Sequence, residues 1–228
     1  AVGYDALQDN TTGSANTAVG LQALDQNTTG ANNTGIGVSA LGTNTTGASN
    51  VAVGKNALIS NTTGDGNNAI GDDALQANTT AGYNTAIGHH SLYGANALIA
   101  NTTASSNTAI GYKSLYTNTT GTENTATGWQ ALKDNTTGSY NSAFGLGTLQ
   151  TNTTGSYNTA TGQQSLYSNT TASKNTAVGY RALFEGTTGG NNTAVGYESG
   201  EQITTGVNNT AVGFQALDHL AGGDYNVA

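Results

Sequence analysis

Residues 109–125 read AIGYKSLYTNTTGTENT, and the rest of the chain is a series of variants of this 17-residue unit. Thirteen copies follow one another without a spacer, beginning at Ala1, Ala18, Gly35, Ala52, Ala69, Ala86, Ala109, Ala126, Ala143, Ala160, Ala177, Ala194 and Ala211. The copy starting at Ala86 is longer by six residues, carried in the stretch 94–100 (GANALIA). A fixed short period is the signature of a repeat architecture in which each copy stacks on the next. The period predicts a single repeat array over 1–228. The chain starts at the first position of a unit without an initiator Met, which predicts an excerpt of a longer chain.

Comparing the copies with one another shows which positions are constrained. The third is always Gly, as at Gly3, Gly20, Gly111 and Gly179, and the sixteenth is always Asn, as at Asn16, Asn107 and Asn175. The seventh is Leu in twelve copies, as at Leu24, Leu115 and Leu183, with Gly200 the exception. The second is Val or Ile in ten, replaced by Thr127, Phe144 and Thr161. An invariant Gly calls for positive φ or for close approach of another backbone. An invariant Asn suits a turn, and in a stack of coils its amide can form a ladder with its neighbours.

The unit is poor in helix formers and shows no 3.6-residue period. Two short strands per copy are expected, near residues 16–19 and 23–25 in the first junction. Stacked in parallel at about 4.8 Å, they give an all-β fold: a parallel β-roll or β-helix solenoid of thirteen 17-residue coils, some 60 Å long. One Val/Ile and one Leu per coil make a thin core against an ordering cost of about 1–2 kcal/mol per residue. Burying the Leu or the Val/Ile column against other chains is the simplest remedy, so a homotrimer is expected. The alternative is a monomeric β-solenoid that stacks into a filament.

Composition narrows the function. Charged residues are 8% of the chain, the net charge is −8, and five residues are basic, which argues against nucleic acid or an anionic membrane as partner. No Cys is present, so disulfides, thiolate metal sites and thiol nucleophiles are excluded. No apolar run reaches the roughly 18 residues of a membrane span. Pro is absent and the aliphatics recur at fixed positions, which favours order over disorder.

The segments Asn107-Thr108-Ala109-Ile110-Gly111 and Asn175-Thr176-Ala177-Val178-Gly179 resemble the head repeat of trimeric autotransporter adhesins of the YadA type. The AVGYQAL…NTTG-like pattern is similar to repeats of phage tail fibres and other surface fibres. The period here is longer than in the YadA-type head, and Thr-Ala replaces the family's residues after Asn. The resemblance implies a trimeric β-roll in an extracellular, cell-surface or virion-surface fibre. It implies no particular receptor.

Candidate sites are few. Asn-Thr-Thr recurs at Asn10, Asn27, Asn44, Asn61, Asn78, Asn101, Asn118, Asn135, Asn152 and Asn169, each a formal N-glycosylation acceptor, and Asn32, Asn191 and Asn208 add further matches. The same segment is also a good stackable turn, expected to face outward. From Ala177 onward it is lost, with Gly186, Ile203 and Leu220 in the Asn position. The Thr-Thr pairs raise an ice-binding face, but adjacent strand residues point in opposite directions. All eleven Tyr fall at the fourth, eighth and fifteenth positions, where packing between coils is favoured over ligand binding. His89 and His90 are adjacent and so face apart in a strand. Asp72 and Asp73 lack the Gly-Gly-x-Gly-x-Asp nonapeptide of calcium β-rolls. The loop 94–100 is the one irregularity, and a special contact is most expected there.

No nucleophile–base pairing or phosphate loop is visible, and no cofactor is implied. The sequence therefore predicts a non-enzymatic structural or adhesive fibre segment. Its partners are copies of itself and a host-surface receptor or glycans. The alternatives are an N-glycosylated filament subunit that carries a glycan sheath and, as a lesser one, an ice-binding β-solenoid.

Overall fold

The computed structural model describes residues 1–88 and 104–228, so the loop 94–100, His89, His90 and Asn101 lie outside the described residues. By contact the chain forms two compact units, Ala1–Thr120 and Gly121–Ala228. In the first, six strands stack in sequence order: β1 (Thr17–Val19), β2 (Thr34–Ile36), β3 (Val51–Val53), β4 (Asn68–Ile70), β5 (Thr85–Ile87) and β6 (Thr108–Ile110). In the second, six more do the same: β7 (Thr125–Thr127), β8 (Ser142–Phe144), β9 (Thr159–Thr161), β10 (Thr176–Val178), β11 (Thr193–Val195) and β12 (Thr210–Val212). Within each unit every strand pairs in parallel with the next at a register of one repeat, for example Thr17 with Thr34 and Thr176 with Thr193. Thr85 pairs with Thr108, so the insertion leaves the register intact. Each unit is thus a parallel β-solenoid, and no helix occurs among the described residues.

Only one of the two expected strands forms. Residues 23–25 are a turn, because the fifth and seventh positions lie in the left-handed region: Gln22 has φ 55° and Leu24 φ 54°. That conformation costs an L-residue about 1 kcal/mol or more. Hydrogen bonds to both neighbouring coils offset it, since Gln22 N–H donates to Tyr4 O at 2.9 Å and Leu24 N–H to Ala40 O at 3.0 Å. The conformation repeats in Leu41, Leu58, Leu75, Leu115, Leu132, Leu149, Leu166 and Leu183, so it is a property of the coil. Gly20 meets both demands on its position: its φ is 136°, and a Cβ there would lie 2.4 Å from Gly37 O.

The core differs from the one expected. Leu24, Leu41, Leu58, Leu75 and Leu115 of the first unit and Leu132, Leu149, Leu166 and Leu183 of the second are fully buried. Ala residues at the first and sixth positions, such as Ala52 and Ala57, complete the apolar part. The Val/Ile column is not core. Val and Ile flank the inward Ala on a strand where residues alternate faces, and they point out, with Ile70 43% and Val178 37% exposed. Leu therefore needs no second chain to cover it, whereas Val and Ile remain on the surface.

Candidate functional site

The Asn-Thr-Thr turn does not face outward as a whole. Asn27, Asn44, Asn61, Asn78, Asn118, Asn135, Asn152 and Asn169 are buried. Asn44 Nδ2 donates to Asn27 Oδ1 at 2.8 Å and to Gly47 O at 2.9 Å, which uses both amide protons. The pattern repeats at Asn61, Asn78, Asn152 and Asn169. The sixteenth-position Asn residues form a second buried ladder. Asn50 N–H donates to Asn33 Oδ1 at 2.9 Å, while Asn50 Nδ2 reaches Gly64 O at 2.8 Å. The two ladders meet at one atom: Gly47 O accepts from Asn33 at 2.8 Å and from Asn44 at 2.9 Å. A buried carboxamide is costly unless fully paired, and these are paired by their copies one coil away.

Each Thr of the pair does something different. Thr45 Oγ1 donates to Thr62 O at 3.0 Å and is half-buried, whereas Thr46 is exposed. N-linked glycosylation replaces an amide proton of the acceptor and needs a route to solvent. The Asn44-type side chains have neither a spare proton nor exposure. Asn32 and Asn191 sit elsewhere in the coil and are exposed, on backbone at φ 59°. Asn208 is half-buried.

The surface carries three further features. Val or Ile at the second position combines with large residues at the fourth, Tyr4, Leu21, Val38 and Tyr112 in the first unit and Trp129, Leu146, Tyr197 and Phe214 in the second, to leave an apolar stripe exposed on each unit. Rings stack from coil to coil: Tyr140 on Tyr157 at 4.8 Å, Tyr167 on Phe184 at 5.3 Å, and Tyr180, Tyr197 and Phe214 in series at 5.0 and 5.4 Å. Stacking at the coil spacing turns the ring faces toward each other and leaves their edges to solvent. Finally, the outward strand residues are two apart, as in Thr125 and Thr127 of β7 or Thr159 and Thr161 of β9, with Ala126 and Ala160 pointing in between. The Thr-Thr pairs of the turn are not part of this strand column, whose period of two is hidden in the sequence by the intervening Ala.

Acidic residues serve the coil. Asp72 Oδ1 accepts from Lys55 N–H at 3.2 Å, and Asp73 Oδ1 accepts from Asn56 Nδ2 at 3.1 Å and Gln76 Nε2 at 3.0 Å. Among the described residues no group of three or more His, Cys, Asp or Glu could hold a metal ion. A shallow cavity of about 150 Å³ lies where Gly42 replaces the larger eighth-position residues, lined by Gln22, Asp25, Gln26, Ser39, Thr43 and Ile59. The described residues contain no helix long and apolar enough to cross a membrane.

The geometry defines a repeat protein of the parallel β-solenoid class. No family model matches the chain, and comparison with curated proteins and with solved structures likewise found no match.

Proposed function

We propose that this chain is a non-enzymatic structural and adhesive segment of an extracellular or virion-surface fibre, assembled from copies of itself, most simply as a trimer. The apolar stripe carries the reading. Second-position Val and Ile next to fourth-position aromatic and aliphatic residues leave large apolar side chains exposed on each unit, interrupted by Lys55 and Asp72 in the first and by Gln163 in the second, and exposed apolar patches mark interaction sites. The resemblance of the Asn-Thr-Ala-Ile-Gly segments to adhesin head repeats agrees with it. In this reading the ladders stiffen the coil, the stripe faces the other copies, and the remaining surface meets a host receptor. Native mass measurement of the purified chain tests it: oligomers are expected, and a monomer at micromolar concentration overturns it.

Two other readings keep a specific observation. A glycan-bearing filament is supported by the exposed Asn32 and Asn191 and not by the buried Asn-Thr-Thr ladder. Peptide mapping of native material decides it, with sugar on Asn32 or Asn191 as the supporting result and bare peptides as the refuting one. An ice-binding face is supported by the Thr-x-Val and Thr-x-Thr strands. Absence of thermal hysteresis disposes of it.

A further inference from the structure

The Asn ladder of the second unit ends inside the protein. Asn135, Asn152 and Asn169 pass the hydrogen bond upward, and the next coil has Gly186 in the ladder position. Asn169 is fully buried, and its Oδ1 has no hydrogen-bond partner. Its orientation is fixed from the other side, because its Nδ2 donates to Asn152 Oδ1 at 2.6 Å and to Ala172 O at 3.1 Å. Rotating the amide would break both bonds, so the acceptor must point at Gly186.

A second acceptor loses its donor at the same place. In the regular coil the carbonyl at the thirteenth position takes two amide bonds, as Gly64 O does from Asn50 at 2.8 Å and Asn61 at 3.0 Å. In the Gly186 coil that carbonyl is Gly189 O, which takes one, from Asn175 at 2.9 Å. The missing Asn side chain would have bridged Asn169 Oδ1 and Gly189 O with its two amide protons. Replacing it requires a small neutral species with two donors.

The following coil directs its ladder side chain toward Gly200. Ile203 occupies the ladder column there and is 1% exposed. Its Cδ1 lies 3.0 Å from where a Cβ on Gly200 would be, so Ile203 leans into the space the seventh-position Leu leaves. Around Gly186 the three atoms nearest a Cβ are Ile203 O and Leu183 O, both at 3.2 Å, and Leu183 Cβ at 3.8 Å, none from the Ile203 side chain. Gly186 N–H still donates to Leu183 O at 3.1 Å, so the turn keeps its shape without the side chain.

We propose that one integral water molecule sits beside Gly186 and bridges Asn169 Oδ1 and Gly189 O, standing in for the Nδ2 group of the absent Asn. Buried waters are retained where otherwise unpaired polar groups converge. The site is a property of the coil and does not depend on the fibre reading.

A high-resolution crystal structure of the 228-residue chain, paired with the Gly186→Asn variant, tests it. The expected result is density for one water within hydrogen-bond distance of both oxygens, replaced in the variant by the introduced side-chain amide. The variant's thermal midpoint should rise by about 2–4 °C. Gly186→Ala, whose methyl intrudes on the water without supplying donors, should lower it. Three results overturn the proposal: an Ile203 or Leu183 side chain filling the position, a metal ion there, or no density in a well-ordered map. The wild-type map decides the matter even where a variant fails to fold.

Discussion

Asn44 Nδ2 donates to Asn27 Oδ1 at 2.8 Å, one full repeat back along the chain, and both side chains are completely buried. A residue type usually found in surface turns is here half of a polar core.

Breaking that relationship should be expensive. Asn44→Ala leaves Asn27 Oδ1 without its donor and opens space in the core. A buried group left unpaired costs about 1–3 kcal/mol, so a loss of at least about 2 kcal/mol is expected in chemical denaturation. Thr46→Ala, two residues on and exposed, should change stability by about 0.5 kcal/mol or less. Equal effects from the two would show that the ladder contributes nothing.

The two aliphatic columns should respond differently. Leu58 is fully buried, and Leu58→Ala should cost about 2–5 kcal/mol. Ile70 is 43% exposed on the outer strand face. Ile70→Glu should leave the circular dichroism of the coil unchanged while dissociating copies in a native mass measurement. Oligomers that survive Glu at both Ile36 and Ile70 would place the seam elsewhere.

Gly200 and Ile203 form a compensating pair. Gly200 has φ 61°, close to the Leu values of the other coils, so the backbone there accepts Leu. Its side chain would collide with Ile203 Cδ1, 3.0 Å from the Cβ position. Gly200→Leu alone should destabilise by about 1–3 kcal/mol through overpacking. Adding Ile203→Ala should recover most of that, and a purely additive double mutant would disprove the coupling.

Asp25 offers a pH test. Desolvation raises its pKa above the ordinary 3.8, and Asp5 and Asp9 add repulsion. The folded state then holds the proton more tightly than the unfolded chain does. Ionisation therefore opposes folding: the penalty is absent below the unfolded value, grows as pH rises through the folded pKa, and is complete at neutral pH. Asp25→Asn should raise the thermal midpoint at neutral pH and leave it unchanged in acid. No difference at neutral pH would remove the repulsion from the account.

The period and the residues that repeat were legible because each copy serves as a control for the others. Gly20 could be assigned to a corner, and Asn16 and Asn33 to a stack. The turn at residues 23–25 is not legible in the sequence, because Leu24 has the apolar character of a strand residue. Its left-handed backbone follows from hydrogen bonds to coils 17 residues away, which local propensity does not encode. The burial of the Asn-Thr-Thr side chain is hidden for a related reason: the motif specifies a turn but not which way its first side chain points.

By itself the sequence determined the repeat length, the stacking of copies in parallel register and the absence of thiol chemistry. The tertiary structure alone decided which columns are inside. Leu24 and Asn27 are buried and Val19 is not, although Val is more apolar than Asn, because the three-residue strand turns its central Ala18 inward. Inside a coil so narrow, a carboxamide that pairs with its own copy above and below fits better than a branched aliphatic. That pairing exists only once the coils are stacked.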